Sequence, residues 1–270
     1  MREGSRVVDD GIWVQEVGEG PLVVLVHGAM DRSGGMLRVR RALQPAFRVV
    51  RYDRRGYARS LPTGPPVSFG QQVDDLEEIL DGRPAVLAGH SFGGLICLAL
   101  AERRAEVVRA VLAYEAPMTW EPWWPTGSGR RVPAALATRN GDVDPTDTDP
   151  HDAAEWFLRR MIGDRTWERL PRGMRAERRA EGPTLVAEMH SVRPPAPVPV
   201  DPSAIMVPVV AAHGSEARPH HKRATGELAR RAPLGELAVI EGAGHGAHLT
   251  HPEAFAGLVR RAAERAGETN

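Results

Sequence analysis

The sequence predicts an α/β protein: a doubly wound, mostly parallel sheet with helices on both faces and a helical cap inserted after the sixth strand. Three observations predict it. Short runs bounded by turn residues are apolar throughout, as in strands covered on both faces. Stretches of helical length separate these runs, and regular alternation of this kind builds a parallel sheet. The alternation then stops between about Pro117 and Ser203, in a stretch that holds every tryptophan except Trp13.

In chain order, residues 12–17 read as an edge strand with weak patterning. Leu22–Val26, Arg48–Tyr52, residues 85–88, Val108–Tyr114, residues 207–212 and residues 237–240 read as buried strands. Phe69–Leu80 is amphipathic, with Ser68 placed to cap its N-terminus. Phe92–Arg103 is apolar for most of its length, which predicts a buried helix. Residues 220–231 and 252–266 are further helices, the second opening on Pro252 at a tolerated first-turn position. Within the insertion, residues 152–161 and 174–190 carry helical patterns. Residues 140–149 read as an acidic exposed loop, and the proline-rich residues 193–202 as an extended, stiff connector. The expected division is a core of residues 1–116 and 204–270 and a cap of residues 117–203.

Composition narrows the function classes. The 270 residues carry 35 basic and 35 acidic side chains, a formal charge of zero. That balance predicts neither nucleic acid nor an anionic membrane as partner. Cys97 is the only cysteine, so no intrachain disulfide forms. No signal-peptide pattern opens the chain, and no run approaches the roughly 18 apolar residues of a membrane span. A cytoplasmic monomer or homodimer acting on a small molecule is the expectation. No dinucleotide fingerprint or P-loop is present. His220-His221 and His248-x-x-His251 lack a carboxylate or cysteine set at ligand spacing, so no metal and no organic cofactor are expected.

The strongest signal is Gly89-His90-Ser91-Phe92-Gly93, set between an apolar strand and an apolar helix. That context lets a G-x-S-x-G sequence form a tight strand-to-helix turn that exposes its serine over a helix N-terminus. Leu25-Val26-His27-Gly28-Ala29-Met30 follows the first buried strand. Tyr52-Asp53-Arg54-Arg55-Gly56-Tyr57-Ala58-Arg59-Ser60 follows the second, and Gly242-Ala243-Gly244-His245-Gly246 follows the last. Together, from about residue 10 to 265 apart from the insertion, these motifs resemble the α/β-hydrolase superfamily. The resemblance implies Ser91 as nucleophile, His245 as its base, and an oxyanion hole formed by the backbone N–H groups of Phe92 and Ala29.

The acid is ambiguous. In most of that superfamily it stands in a Gly-x-x-Asp pattern after the strand read here at 207–212, but this chain has His213-Gly214-Ser215-Glu216-Ala217. Glu216 falls one place early. Glu115, directly after Val108–Tyr114, occupies the position that some members use instead, and register favours it. Asp53, Arg54 and Arg55 are expected to tie down a turn, and Cys97 to be a packed core thiol. Met30, Trp120, Trp123 and Trp124 are candidate substrate contacts, with core packing the competing reading. The implied activity is cleavage of a small to medium, largely apolar carboxylic ester or lactone through an acyl-enzyme. The same residues also serve cofactor-free perhydrolases (haloperoxidases), C–C bond hydrolases and tailoring enzymes. A non-catalytic receptor is the remaining alternative, because fold alone does not fix function.

Overall fold

A computed structural model describes residues 4–8, 11–125, 149–194 and 196–268. Eight strands, β1 (Gly4–Val7), β2 (Trp13–Val17), β3 (Leu22–Val26), β4 (Arg48–Tyr52), β5 (Ala85–His90), β6 (Val108–Tyr114), β7 (Val209–Gly214) and β8 (Gly235–Ile240), form one sheet. Its order is β1-β2-β4-β3-β5-β6-β7-β8. The β1–β2 and β2–β4 pairs are antiparallel, and all later pairs are parallel. The helices are α1 (Leu37–Leu43), α2 (Phe69–Leu80), α3 (Phe92–Arg103), α4 (Pro150–Ile162), α5 (Asp164–Arg169), α6 (Arg172–Ala180), α7 (Gly182–Ser191), α8 (Pro219–Arg231), α9 (Ala247–Thr250) and α10 (Pro252–Glu268).

The sheet is covered on both faces, and β3 shows why its sequence is apolar throughout. Val24 and Val26 pack with Leu76 and Ile79 of α2, Ile96 and Leu100 of α3 and Leu228 of α8. Val23 and Leu25 point the other way, to Val39 and Leu43 of α1 and Phe255 and Val259 of α10. This two-residue alternation between two apolar layers leaves no polar face. The four helices α4–α7 lie between β6 and β7 in the chain. A separate small cluster of Ala154, Leu158, Trp167 and Leu185 joins them to Met30 and Tyr57.

Several expectations need correction. Residues 12–17 do not make an edge strand, because β1 pairs outside β2 and takes the edge. β1 has only four residues, and Arg6 and Val7 are exposed, so it leaves no periodic signature. Strand β7 starts two residues later than its apolar run and continues through His213 and Gly214, which pair with Val239 and Ile240 of β8. Residues 174–190 do not form one helix. The chain breaks between α6 and α7 at Gly182-Pro183, where the ring nitrogen of Pro183 has no N–H to donate. A Cβ on Gly182 would stand 1.9 Å from the Pro150 carbonyl oxygen. Residues 193–202 begin with a turn, Ala196 N–H donating to Arg193 O at 2.8 Å, rather than running extended from the start. The loop expected at residues 140–149 lies outside the described residues except for Asp149, whose side chain caps α4. Among the described residues no helix is long and apolar enough to cross a membrane.

Candidate active site

Each candidate residue follows the carboxyl end of a parallel strand, where open α/β sheets place their clefts. Ser91 directly follows β5 and is the N-cap residue of α3, with φ 53° and ψ −122°, a conformation that L-residues avoid. Its N–H is held by Tyr114 O at 2.8 Å. The flanking glycines are steric necessities. A Cβ at Gly89 would meet Gly93 O at 2.4 Å, and one at Gly93 would meet Val26 O at 2.3 Å. Phe92 opens α3, and the first N–H groups of a helix have no intrahelical acceptor.

Glu115 follows β6, also at positive φ (48°). Its carboxylate is fully buried. Oε2 accepts from His245 Nδ1–H at 2.6 Å, and Oε1 accepts from Gly214 N–H at 3.2 Å. With Nδ1–H so committed, the far nitrogen Nε2 of His245 keeps its lone pair. The loop carrying His245 is pinned from two strands: Tyr114 O–H donates to Gly244 O at 2.8 Å, and His90 Nε2–H to His245 O at 2.8 Å. Glu216, by contrast, is exposed, its backbone N–H donating to Ala243 O. The carboxylate that the structure brings to His245 is therefore Glu115.

The turn after β3 lies against the serine: a Cβ on Gly28 would sit 3.1 Å from Ser91 Cβ. His27 is buried, donates Nδ1–H to Gly28 O at 2.8 Å and accepts Arg54 N–H on Nε2 at 2.9 Å. Arg54 donates to His27 O at 2.9 Å and Gly28 O at 3.0 Å, and it pairs with Gln72 and with Glu188 of α7. Glu188 also accepts from Tyr57 O–H at 2.7 Å, and that hydroxyl accepts Met30 N–H at 3.2 Å. A carboxylate from the inserted helices thus reaches the Gly28-Ala29-Met30 turn through two side chains. Asp53 and Arg55 hold the neighbouring turn, Asp53 accepting from Ser33 N–H and Arg55 pairing bidentately with Asp75. Cys97 is buried in the core.

Ala29 is half-buried, and Met30 is buried among Tyr57, Ala154, Leu158, Trp167 and Leu185. Trp120, Trp123 and Trp124 are half-buried against the α2–α3–α8 layer. Trp124 meets the rings of His220 and His221 edge-on at 4.8 and 5.3 Å, and His221 lies 4.7 Å from the His245 ring. His221 Nδ1 is 3.9 Å from Glu115 Oε2. The sequence of His220-His221 carried no signal of this, because the face a histidine turns inward depends on tertiary packing. Glu188 and Arg54 carried no motif for their pairing, since they lie far apart in the chain. An open cleft of about 660 Å³ between α4 and α6, lined by Asp152, Glu155, Arg175 and Arg179, holds none of the candidate residues.

Burial, and then the nearby Arg54 cation, push His27 down to about 4. Burial, and then the neighbouring His245, hold His221 well below the ordinary histidine range. Both rings bind protons more readily in the unfolded chain. Their stabilisation is complete above the unfolded value near 6.5 and is lost as pH falls toward the folded value. The thermal midpoint should therefore drop between about pH 6.5 and 4, and His27→Asn should flatten that drop. Equal slopes for the two proteins in a melting series would contradict this.

Comparison with known proteins bears on the family and the fold. A family model described as the alpha/beta hydrolase family matches residues 23–258. A pimeloyl-[acyl-carrier protein] methyl ester esterase of Nitrosospira multiformis is 33% identical over 112 residues, 39% of this chain and 43% of that one. A putative non-heme haloperoxidase of Mycobacterium phage D29 is 32% identical over 123 residues, 43% of this chain and 44% of that one. The match thus spans less than half the length of these curated relatives. The crystal structure of the enol-lactonase from Burkholderia xenovorans superposes with a TM-score of 0.68 at 23% identity, covering 96% of this chain and 98% of the other, a likeness of fold. With the family model spanning most of its length, the chain belongs to the alpha/beta hydrolase family.

Proposed function

We propose that this chain is a serine hydrolase that cleaves small to medium, largely apolar carboxylic esters or lactones. Residues 117–203 would form a cap over a core of residues 1–116 and 204–270. The observation that carries the reading is the 2.6 Å contact between buried Glu115 and His245, whose ring lies 4.6 Å from that of His90, the neighbour of a serine held at positive φ. In this mechanism Ser91 Oγ attacks the carbonyl carbon and His245 Nε2 takes its proton. Ala29 and Phe92 N–H groups hold the oxyanion. The tetrahedral intermediate collapses, His245 protonates the departing oxygen, and an acyl-enzyme remains. Water, deprotonated by His245, then releases the acid and restores Ser91. Glu115 orients the imidazole and stabilises its charged form. Trp120, Trp123, Trp124 and Met30 would bound the acyl side.

A panel of p-nitrophenyl esters of increasing chain length, with several lactones, tests this. The expected result is turnover that peaks at short to medium acyl chains and is absent in Ser91→Ala. No turnover of any member by the wild type would count against the reading.

One observation favours a second reading, the similarity to a putative haloperoxidase. The same serine could pass an acyl group to hydrogen peroxide instead of water, giving a peracid. Adding peroxide and acetate, with oxidation of a halide as readout, separates the two.

A further inference from the structure

A second set of ionisable side chains meets immediately beside the Ser91 set. Asp31 follows the Gly28-Ala29-Met30 turn, His90 precedes Ser91, and His248 lies in α9, three residues after His245. His90 is 6% exposed and His248 2%. Their rings are 4.2 Å apart. One potential ligand atom from each of the three residues lies within 4.8 Å of the other two.

These groups keep buried polar atoms that no hydrogen bond engages. His90 commits Nε2–H to His245 O, so its Nδ1 is an unprotonated acceptor, and that atom is buried without a hydrogen-bond partner. His248 Nε2 stands 3.0 Å from Asp31 Oδ2, close enough for an ion pair when the ring is protonated, yet off the line of a hydrogen bond, and both atoms are buried without one. Buried polar atoms without partners are costly and rare in folded proteins. A cation at the centre of the three would satisfy His90 Nδ1, His248 Nε2 and Asp31 Oδ2 together.

The chemistry of the set selects the cation. Two imidazoles and one carboxylate suit zinc and its neighbours, whereas calcium and magnesium prefer oxygen ligands. At zinc bond lengths of about 2.0–2.1 Å, tetrahedral ligands stand about 3.3 Å apart, close to the Asp31–His248 separation. The His90 Nε2–H bond to a main-chain carbonyl is the outer hydrogen bond that metal-bound histidines make, fixing tautomer and ring orientation. We propose that Asp31, His90 and His248 form a binding site for one divalent transition metal, zinc being the best match. The ion would tie together the oxyanion turn, the serine elbow and the His245 loop, and would take no part in the bond-breaking steps.

Glu115, His221 and His245 form a competing set of the same composition. There, however, Glu115 and His245 already satisfy each other at 2.6 Å, so a metal must displace a proton and a hydrogen bond.

The test is zinc and cobalt(II) titration of chelator-treated, dialysed protein, followed by calorimetry, cobalt visible absorption and thermal melting. The expected result is one ion per chain, a cobalt spectrum of a nitrogen–oxygen site and a raised midpoint. Asp31→Asn and His248→Gln should each weaken binding at least about tenfold, while His221→Gln and His251→Gln bind as wild type. Absence of stoichiometric binding to the wild type overturns the proposal. So does loss of binding in His221→Gln with retention in Asp31→Asn, which would put the metal on Glu115. Anomalous diffraction from zinc-soaked wild-type crystals locates the ion even if a variant fails to fold: a peak between Asp31, His90 and His248 supports the site, and a peak elsewhere overturns it.

Discussion

Glu115→Gln is expected to lower kcat by about four orders of magnitude with little change in KM, while Glu216→Gln stays near wild type. An amide at position 115 cannot stabilise the imidazolium, and its NH2 group competes for His245 Nδ1 and favours the tautomer that carries its proton on Nε2. That ring could no longer accept the Ser91 proton. Glu216 is exposed and has no such partner, so its charge is dispensable. Kinetics of both variants on one p-nitrophenyl ester, with circular dichroism to confirm folding, decides the matter. A large loss in Glu216→Gln with near-normal Glu115→Gln would reverse the assignment of the acid.

Glu188→Ala is expected to have the largest effect on stability. It leaves the Arg54 guanidinium, 1% exposed, without its carboxylate. Removing one partner of a buried ion pair costs about 3–5 kcal/mol. For a chain of this size that lowers the thermal midpoint by about 10 °C. The loss should also reach the reaction. Tyr57 would lose its acceptor, and Arg54 its anchor, so the Met30 N–H and the carbonyls of His27 and Gly28 would be held less firmly. A fall in kcat of about tenfold at unchanged KM is the signature of a displaced oxyanion donor. The pair Arg54→Met with Glu188→Met should cost less than either single change, because no unpaired charge remains buried. A Glu188→Ala protein that melts within a degree of wild type would contradict the proposed link.

What the sequence showed and what it hid follow from the range of the interactions. Strands β3, β4 and β6 and helices α2 and α3 were legible to the residue, because apolar run, cap and turn all lie within a few positions. The Ser68 hydroxyl caps α2 through Gln71 N–H, as local chemistry predicts. Ser91 and His245 stood out as candidates for the same reason, each sitting in a short glycine-rich motif. Strand β1 was not legible, since its four residues are placed by pairing with β2 and Arg6 and Val7 are exposed. The inward turn of His221 and the burial of His90, His248 and Glu188 were invisible as well. Those positions depend on contacts between segments far apart in the chain, such as Arg54 with Glu188 and His90 with the His245 carbonyl.

The central claim is that Ser91 is an activated nucleophile. A fluorophosphonate probe with peptide mapping by mass spectrometry tests it most directly. The account predicts one adduct per wild-type chain, mapped to Ser91, no labelling of Ser91→Ala, and greatly slowed labelling of His245→Ala. A wild-type protein that stays unlabelled while folded, or an adduct on any other residue, would contradict it.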